Sequence, residues 1–291
     1  MEYRQKGDGI VLTNLNHFHI GDILECGQCF RFERIKELYY SVIAFGKVLH
    51  VKQNEASIVF FYEDEMLDAA DFEAVWVPYF DLRRDYGSII TKISEDDAVM
   101  QVAAAFAPGI RILQQDPWEM LISFIISANN RIPQIKQIVK NISQRYGSQI
   151  NEANYAFPTP EELLRATAEE LRMLKTGFRD KYIVDAVQKV VSGMLDLNRD
   201  TTLPTEELRK SLLNVHGVGE KVAHCILLFG YGRFDSFPVD TWVRKVMQQY
   251  YFDGNAASAA QIQSFGQERF GELSGFAQQY LFHYIRNKSM N

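Results

Sequence analysis

The spacing of apolar residues divides the chain into two regimes. From about Asp97 onward apolar positions recur every three to four residues. Pro117–Ile126, Ile132–Tyr146, Glu161–Leu174, Lys181–Leu195 and Thr205–Val215 each carry this spacing, and Val222–Phe229, Thr241–Tyr251 and Phe276–Tyr284 follow. An apolar stripe of that period predicts helices that bury one face. Pro158-Thr159-Pro160 and Pro204-Thr205-Glu206-Glu207 read as helix openings, because proline is tolerated in a first turn and acids complement the dipole there. The first hundred residues differ. Tyr39–His50 and Ser57–Tyr62 are rich in Tyr, Val, Ile and Phe and flank the polar segment Lys52–Ala56, which predicts a β-hairpin, with Gly46 as further turn punctuation. Asp64–Phe80 looks helical. The expected fold class is α+β. An N-terminal antiparallel β-sheet domain over 1–105 precedes a mainly α-helical region over 106–291, itself in two packed parts.

Composition narrows the picture. With 291 residues, 47% of them hydrophobic and 23% charged, the chain can bury a large core and is not a disordered polymer. No apolar run approaches the roughly 18 residues of a membrane span, and Met1–Ile10 is not a signal peptide, so an intracellular protein is expected, in cytoplasm or nucleoid or in a nucleus according to source. A single copy is the default expectation. Net charge is −6, which alone argues mildly against a nucleic-acid partner. The acidity is uneven. Residues 1–110 hold 10 basic and 18 acidic side chains, whereas the remainder holds 21 and 19, so a local basic face beyond the first third is open. Three cysteines are too few for a disulfide framework. Cys26 and Cys29 form a C-x-x-C, but no histidine has ligand spacing near them and the flanking pattern is strand-like; two half-buried thiols at a turn are expected rather than a zinc or redox site.

The chemistry concentrates between Leu208 and Met247, LRKSLLNVHGVGEKVAHCILLFGYGRFDSFPVDTWVRKVM. A helix ends near Val215, His216-Gly217-Val218-Gly219 reverses the chain, and a second helix begins near Gly219, a helix-hairpin-helix over about 205–231. Gly217 and Gly219 allow a tight bend and close approach of a partner's backbone. The outward N–H groups of the second helix, with Val222 in its first turn, make a phosphate site. Lys221 stands at that N-terminus, where the helix dipole disfavours a cation, and the same field together with burial favours the neutral amine, a nucleophile able to form a Schiff base at a sugar carbon. Asp240, after Pro238-Val239, occupies an N-cap position and could also face the lysine and stabilise positive charge developing on a sugar.

A G-x-G hairpin followed by Pro-Val-Asp resembles the helix-hairpin-helix DNA glycosylase superfamily, and within it the 8-oxoguanine DNA glycosylase/AP lyase family. Four more segments carry the resemblance: Cys26-Gly27-Gln28-Cys29-Phe30-Arg31, Gln115-Asp116-Pro117-Trp118-Glu119 running on to Asn129-Asn130, Gly177-Phe178-Arg179-Asp180-Lys181-Tyr182, and Gly275-Phe276-Ala277-Gln278-Gln279-Tyr280-Leu281-Phe282. It implies a DNA repair enzyme acting on double-stranded DNA that contains oxidised guanine, with Lys221 as nucleophile and Asp240 as its acidic partner. It implies that the Gly27 carbonyl accepts from N7–H of 8-oxoguanine, a proton guanine lacks, that Cys225 and Phe282 sandwich the extruded base, and that Gln278 bonds its Watson–Crick edge. Asn129 and Arg179 would meet the orphaned cytosine, and Phe178 would wedge into the stack. No cofactor and no catalytic metal are implied.

The pattern departs from the family at three places. Gln134 stands where eukaryotic members carry an arginine that reads the opposite cytosine. Trp242 stands where a histidine is expected, leaving an indole N–H to meet phosphate. Cys26 and Cys29 replace serines, and nothing in the sequence accounts for that change. Two other readings remain beside this one: an alkylpurine DNA glycosylase, whose members typically lack the hairpin lysine, and a non-catalytic DNA-binding protein that uses the hairpin for grip alone. No cysteine follows Cys225 in the chain, so the four-cysteine iron–sulfur motif of the endonuclease III type is not expected.

Overall fold

A computed structural model describes residues 1–198 and 202–289. Six strands, β1 (Glu2–Lys6), β2 (Gly9–Thr13), β3 (Phe32–Lys36), β4 (Tyr39–Ala44), β5 (Lys47–Gln53) and β6 (Ile58–Phe61), form one sheet in the order β1-β2-β6-β5-β4-β3. Every pairing is antiparallel. The Tyr39–His50 run is two strands rather than one, because Phe45 and Gly46 both take positive φ, 50° and 72°, the geometry of a two-residue hairpin turn. β1 and β3 are absent from the sequence reading for a simple reason. They are mostly exposed edge strands with polar or charged side chains, which blunt the edge and erase the hydrophobic alternation.

Alternate residues of β4 are buried, as a sheet with one covered face requires. That face packs on the segment Ala69–Tyr79, which is helical with a π-helical turn at Phe72–Trp76. Phe60 meets Phe72 and Phe80 at ring separations of 5.2 and 5.6 Å, and Trp76 completes the cluster. A second buried cluster fills the helical body. Residues 86–105, which the expected domain division over 1–105 groups with the β-rich part, lie in helices Tyr86–Ser94 and Ala98–Phe106, whose buried faces join this second cluster.

Two helices lie at the centre of the helical body. Pro117–Ser127 starts with Asp116 as N-cap and is buried almost all round, and Glu220–Tyr231 is buried from Val222 to Phe229. Their Phe124 and Phe229 rings stack at 5.6 Å. The stretch expected as one helix over Glu161–Leu174 is two, Pro160–Leu163 and Ala168–Met173, because Thr159 and Thr167 each form a capping box with a glutamate three residues on. Helices Ile132–Tyr146 and Thr241–Tyr251 have the bounds their periodicity predicts. The final helix, Ser274–Lys288, runs from the helical core to the β domain.

The crossing segment 111–115 joins the two cores. Arg111 is 1% exposed and donates to the carbonyls of His17, Asp81 and Asn16 at 2.8, 2.7 and 3.1 Å. Its guanidinium also lies 4.4 Å from the centre of the Tyr86 ring. Removing a donor from buried carbonyls costs about 1–3 kcal/mol for each acceptor left without a partner. Arg111→Met is therefore expected to lower unfolding free energy by about 3 kcal/mol or more, read as a shift of the urea midpoint; a midpoint near that of the parent protein would show that solvent or a rearrangement replaces these bonds.

Candidate active site and nucleic-acid interface

A cleft of about 1850 Å³ opens between the sheet, the Ile132–Tyr146 helix, the hairpin and the final helix. It collects Lys221 and Asp240, and with them Gly27, Asn129, Gly217, Gly219, Val222, Trp242 and Phe282. Its lining holds nine basic side chains against three acidic ones, so an acidic chain presents a basic cavity. Low-dielectric walls with one sign of charge concentrate the field and favour a polyanion.

The hairpin is built as its glycines demand. Helix Thr205–Leu213 ends, Gly217 takes φ +84°, and Gly219 is the N-cap of Glu220–Tyr231 with no side chain capping its first-turn N–H groups. A Cβ on Gly217 would lie 2.5 Å from the Tyr182 ring, whereas one on Gly219 meets nothing within 4 Å, which leaves open space in front of the second helix. His216 N donates to Asp185 Oδ2 at 2.8 Å, which pins the turn to the Asp180–Val191 helix.

Lys221 follows in the first turn. Its Nζ lies 3.3 Å from Ser127 Oγ and 5.1 Å from the centre of the Phe124 ring, so the end of the Pro117–Ser127 helix aims the amine. Asp240 does cap a helix: Oδ1 accepts from Val243 N at 2.8 Å. Burial pushes its carboxyl above the usual range, opposed by the Val243 N–H and then by the Lys221 charge. Cys225, one turn beyond Lys221, is buried, and burial pushes its thiol up, so it is a neutral apolar surface. Cys225 and Gln278 are buried and are not among the residues lining the cleft; among the described residues Gln278 Oε1 has no hydrogen-bond partner.

The turn around Gly27 is clamped on both sides. Arg286 donates to the Glu25 carbonyl, Gln279 Nε2 to that of Cys26 at 2.8 Å, and Gln115 Nε2 to that of Gln28 at 2.8 Å. Among the described residues no donor reaches the carbonyl of Gly27, which has φ +82°. The Gln28 side chain, wholly buried, donates to Ile23 O and Arg111 O at 2.7 and 2.8 Å and accepts from Leu113 N at 2.9 Å. Cys26 and Cys29 are fully buried rather than half-buried, because this network draws the turn into both cores; burial raises both thiols, that of Cys26 to about 11.

Opposite the hairpin, Asn129 is exposed in a left-handed conformation, φ +51°. Arg179 holds that turn: it donates to Ala128 O, to Asn129 O at 3.1 Å and to Thr176 O at 3.2 Å, and is itself buried. Its guanidinium braces Phe178 at 4.4 Å, with Tyr182 edge-on at 6.0 Å, so an aromatic ring 56% exposed is held rigid. Gln134 lies exposed in the first turn of Ile132–Tyr146. Phe178, Arg179 and Gln134 stand outside the cleft lining. Sequence reasoning assigned no role to Ser127 or Arg286. The signal for the second was present: Gln278, Phe282 and Arg286 repeat every four residues on one helix face.

Comparison with known proteins agrees with this geometry. Residues 10–121 match the family described as 8-oxoguanine DNA glycosylase, N-terminal domain, and residues 122–272 match the HhH-GPD superfamily of base excision DNA repair proteins. The N-glycosylase/DNA lyase of Saccharomyces cerevisiae is 32% identical over 277 residues, 84% of this chain and 71% of the relative. The crystal structure of the Clostridium acetobutylicum 8-oxoguanine glycosylase/lyase, in complex with double-stranded DNA containing cytosine opposite 8-oxoguanine, superposes with a TM-score of 0.94 at 41% identity, over 99% of both chains. The 3-methyladenine DNA glycosylase of Archaeoglobus fulgidus shares the fold at a TM-score of 0.76 and 20% identity, over 95% of this chain and 98% of that one. With residues 10–121 and 122–272 matching those two families and a relative 32% identical over most of its length, the chain belongs to the 8-oxoguanine DNA glycosylase/AP lyase family of the helix-hairpin-helix superfamily.

Proposed function

We propose that this protein excises 8-oxoguanine from duplex DNA through a Schiff base on Lys221 and then cleaves the strand by β-elimination. The observation that carries the reading is one basic cleft that holds a first-turn lysine, a capped carboxylate and an unengaged carbonyl. DNA phosphates bind at the uncapped N–H groups of the hairpin's second helix. The exposed Phe178 ring fills the gap left in the stack, and Asn129, held by Arg179, fronts the orphaned base. The damaged nucleotide is turned out of the duplex because its sugar is otherwise out of reach.

In the pocket, the Gly27 carbonyl accepts from N7–H. Guanine has no proton there and would leave the acceptor unmatched, at a cost of about 1–3 kcal/mol. Phe282 and the neutral Cys225 are apolar surfaces for the base, and Gln278 offers its unpartnered amide oxygen to a donor of the Watson–Crick edge. Lys221 Nζ, steadied by Ser127, attacks C1′. The C1′–N9 bond breaks, its electron pair leaves with the base, and the base takes up a proton. Asp240 stabilises the positive charge that develops on the sugar. Opening of the ring converts the covalent adduct to an iminium; loss of a C2′ proton then expels the 3′ phosphate. Release of the base by water alone, as in the alkylpurine reading, has no use for a lysine at this position.

Three measurements follow. Lys221→Gln is expected to abolish both base release and strand cleavage on an 8-oxoguanine:cytosine duplex while retaining DNA binding; base release at the parental rate would reassign the nucleophile. Burial raises the Asp240 carboxyl, so its ionised form is lost at a higher pH than for an ordinary aspartate. The acid limb of kcat/KM is thus expected above the usual carboxylate range, and a limb at or below pH 4 would contradict its role. Gln134 offers an amide where a guanidinium fork would make more simultaneous contacts. Excision is expected to be similar opposite all four bases, and Gln134→Arg to favour cytosine by about tenfold; strong cytosine preference in the parent protein would show that another residue reads the opposite base.

A further inference from the structure

The final helix brings one more group to the Gly27 turn. Gln278, Phe282 and Arg286 share a face of Ser274–Lys288, and Arg286 lines the cleft although it is only 8% exposed. Its Nη2 donates to Glu25 O, which fixes the plane of the guanidinium. Its Nη1 is buried and, among the described residues, has no hydrogen-bond partner. A Cβ on Gly27 would lie 3.1 Å from this nitrogen and 3.1 Å from Phe282 Cε1, so the cation, the ring and the glycine backbone meet at one point. Among the described residues no carboxylate forms an ion pair with Arg286; the acidic groups that act on it from a distance are Cys26, Asp240 and Glu25.

A buried donor without a partner is costly, more so when charged. Here it stands beside an acceptor that is also unengaged, the Gly27 carbonyl. A neighbouring donor and acceptor of this kind complement a cis-amide edge, which presents an N–H and a C=O on adjacent atoms. The oxidised edge of 8-oxoguanine, N7–H with C8=O8, is such an edge. Guanine has a bare N7 and a C8–H there and satisfies neither group.

We propose that Arg286 is a specificity-determining residue whose Nη1 donates a hydrogen bond to O8 of the extruded lesion while Gly27 accepts from N7–H. This rests on the reading that 8-oxoguanine is the substrate. Two unmatched polar groups, rather than one, then reject guanine, and a site built to hydrogen-bond its substrate discriminates far more strongly than one that only excludes by shape.

The test compares two duplexes, one with 8-oxoguanine and one with a preformed abasic site, cut by the parent protein, Arg286→Gln and Arg286→Lys. Cleavage at the abasic site needs the lysine chemistry but no base. Arg286→Gln is expected to slow 8-oxoguanine excision by about 10- to 100-fold, with abasic cleavage keeping most of its rate, and Arg286→Lys, which keeps a cationic donor, to fall between. In a Lys221→Gln background, the same Arg286→Gln change is expected to shrink the preference for binding 8-oxoguanine over guanine by a similar factor. Unchanged excision, or an equal fall on both duplexes, would overturn the proposal, the latter because Arg286 would then serve Lys221, Asp240 or the fold. A parent protein that cuts the abasic duplex but not the lesion would instead overturn the substrate reading.

Discussion

The amide of Gln28 ties the reading end of the site to its reacting end. It is wholly buried and bonds Ile23 behind it and Arg111 and Leu113 across from it. Gln115, two residues on, returns a hydrogen bond to the Gln28 carbonyl and donates its own N–H to Phe229 O on the helix that carries Lys221. The position of the Gly27 carbonyl relative to the lysine therefore depends on a short relay of buried hydrogen bonds between two separate cores. Such a relay is stiff, because each group would be left unsatisfied if any one moved. The role proposed for the Gly27 carbonyl, which is to sense one proton on a base, calls for that stiffness.

Charge works at a different scale. The chain is acidic overall, yet the cleft is lined mainly by basic side chains. Much of the acidity sits in the first third of the sequence. Net negative charge favours repulsion between copies, while the local field of the cleft favours a polyanion. The exposed Phe178 ring and the hairpin are also linked. Tyr182 packs where a Gly217 side chain would stand and meets Phe178 edge-on, so the proposed phosphate grip and the proposed stack insertion share one packed unit.

Much of this was legible in the sequence, and the reasons are local. The 3.6-residue period of the helices, the glycine pair at 217 and 219, and an aspartate before Thr241–Tyr251 each express a constraint that acts within a few residues. What was not legible depends on distant partners. Nothing near Gln28 announces that its amide will meet residues 83 and 85 positions away. The depth of Cys26 and Cys29 follows from that same network. Arg286 carried a periodic signal beside Phe282, but its meaning appears only when Gly27 arrives from the other end of the chain. The split at Thr167 was written locally, as a threonine and a glutamate three residues apart, beneath a longer apolar period that obscured it.

The claim that the rest depends on is a covalent bond between Lys221 and the sugar of an 8-oxoguanine nucleotide. It is tested most directly by adding borohydride to the reaction on an 8-oxoguanine:cytosine duplex, digesting the trapped complex and mapping the modified peptide by mass. The account predicts one adduct, on the peptide that contains Lys221. An adduct on another residue, or base release with nothing trapped, would contradict it.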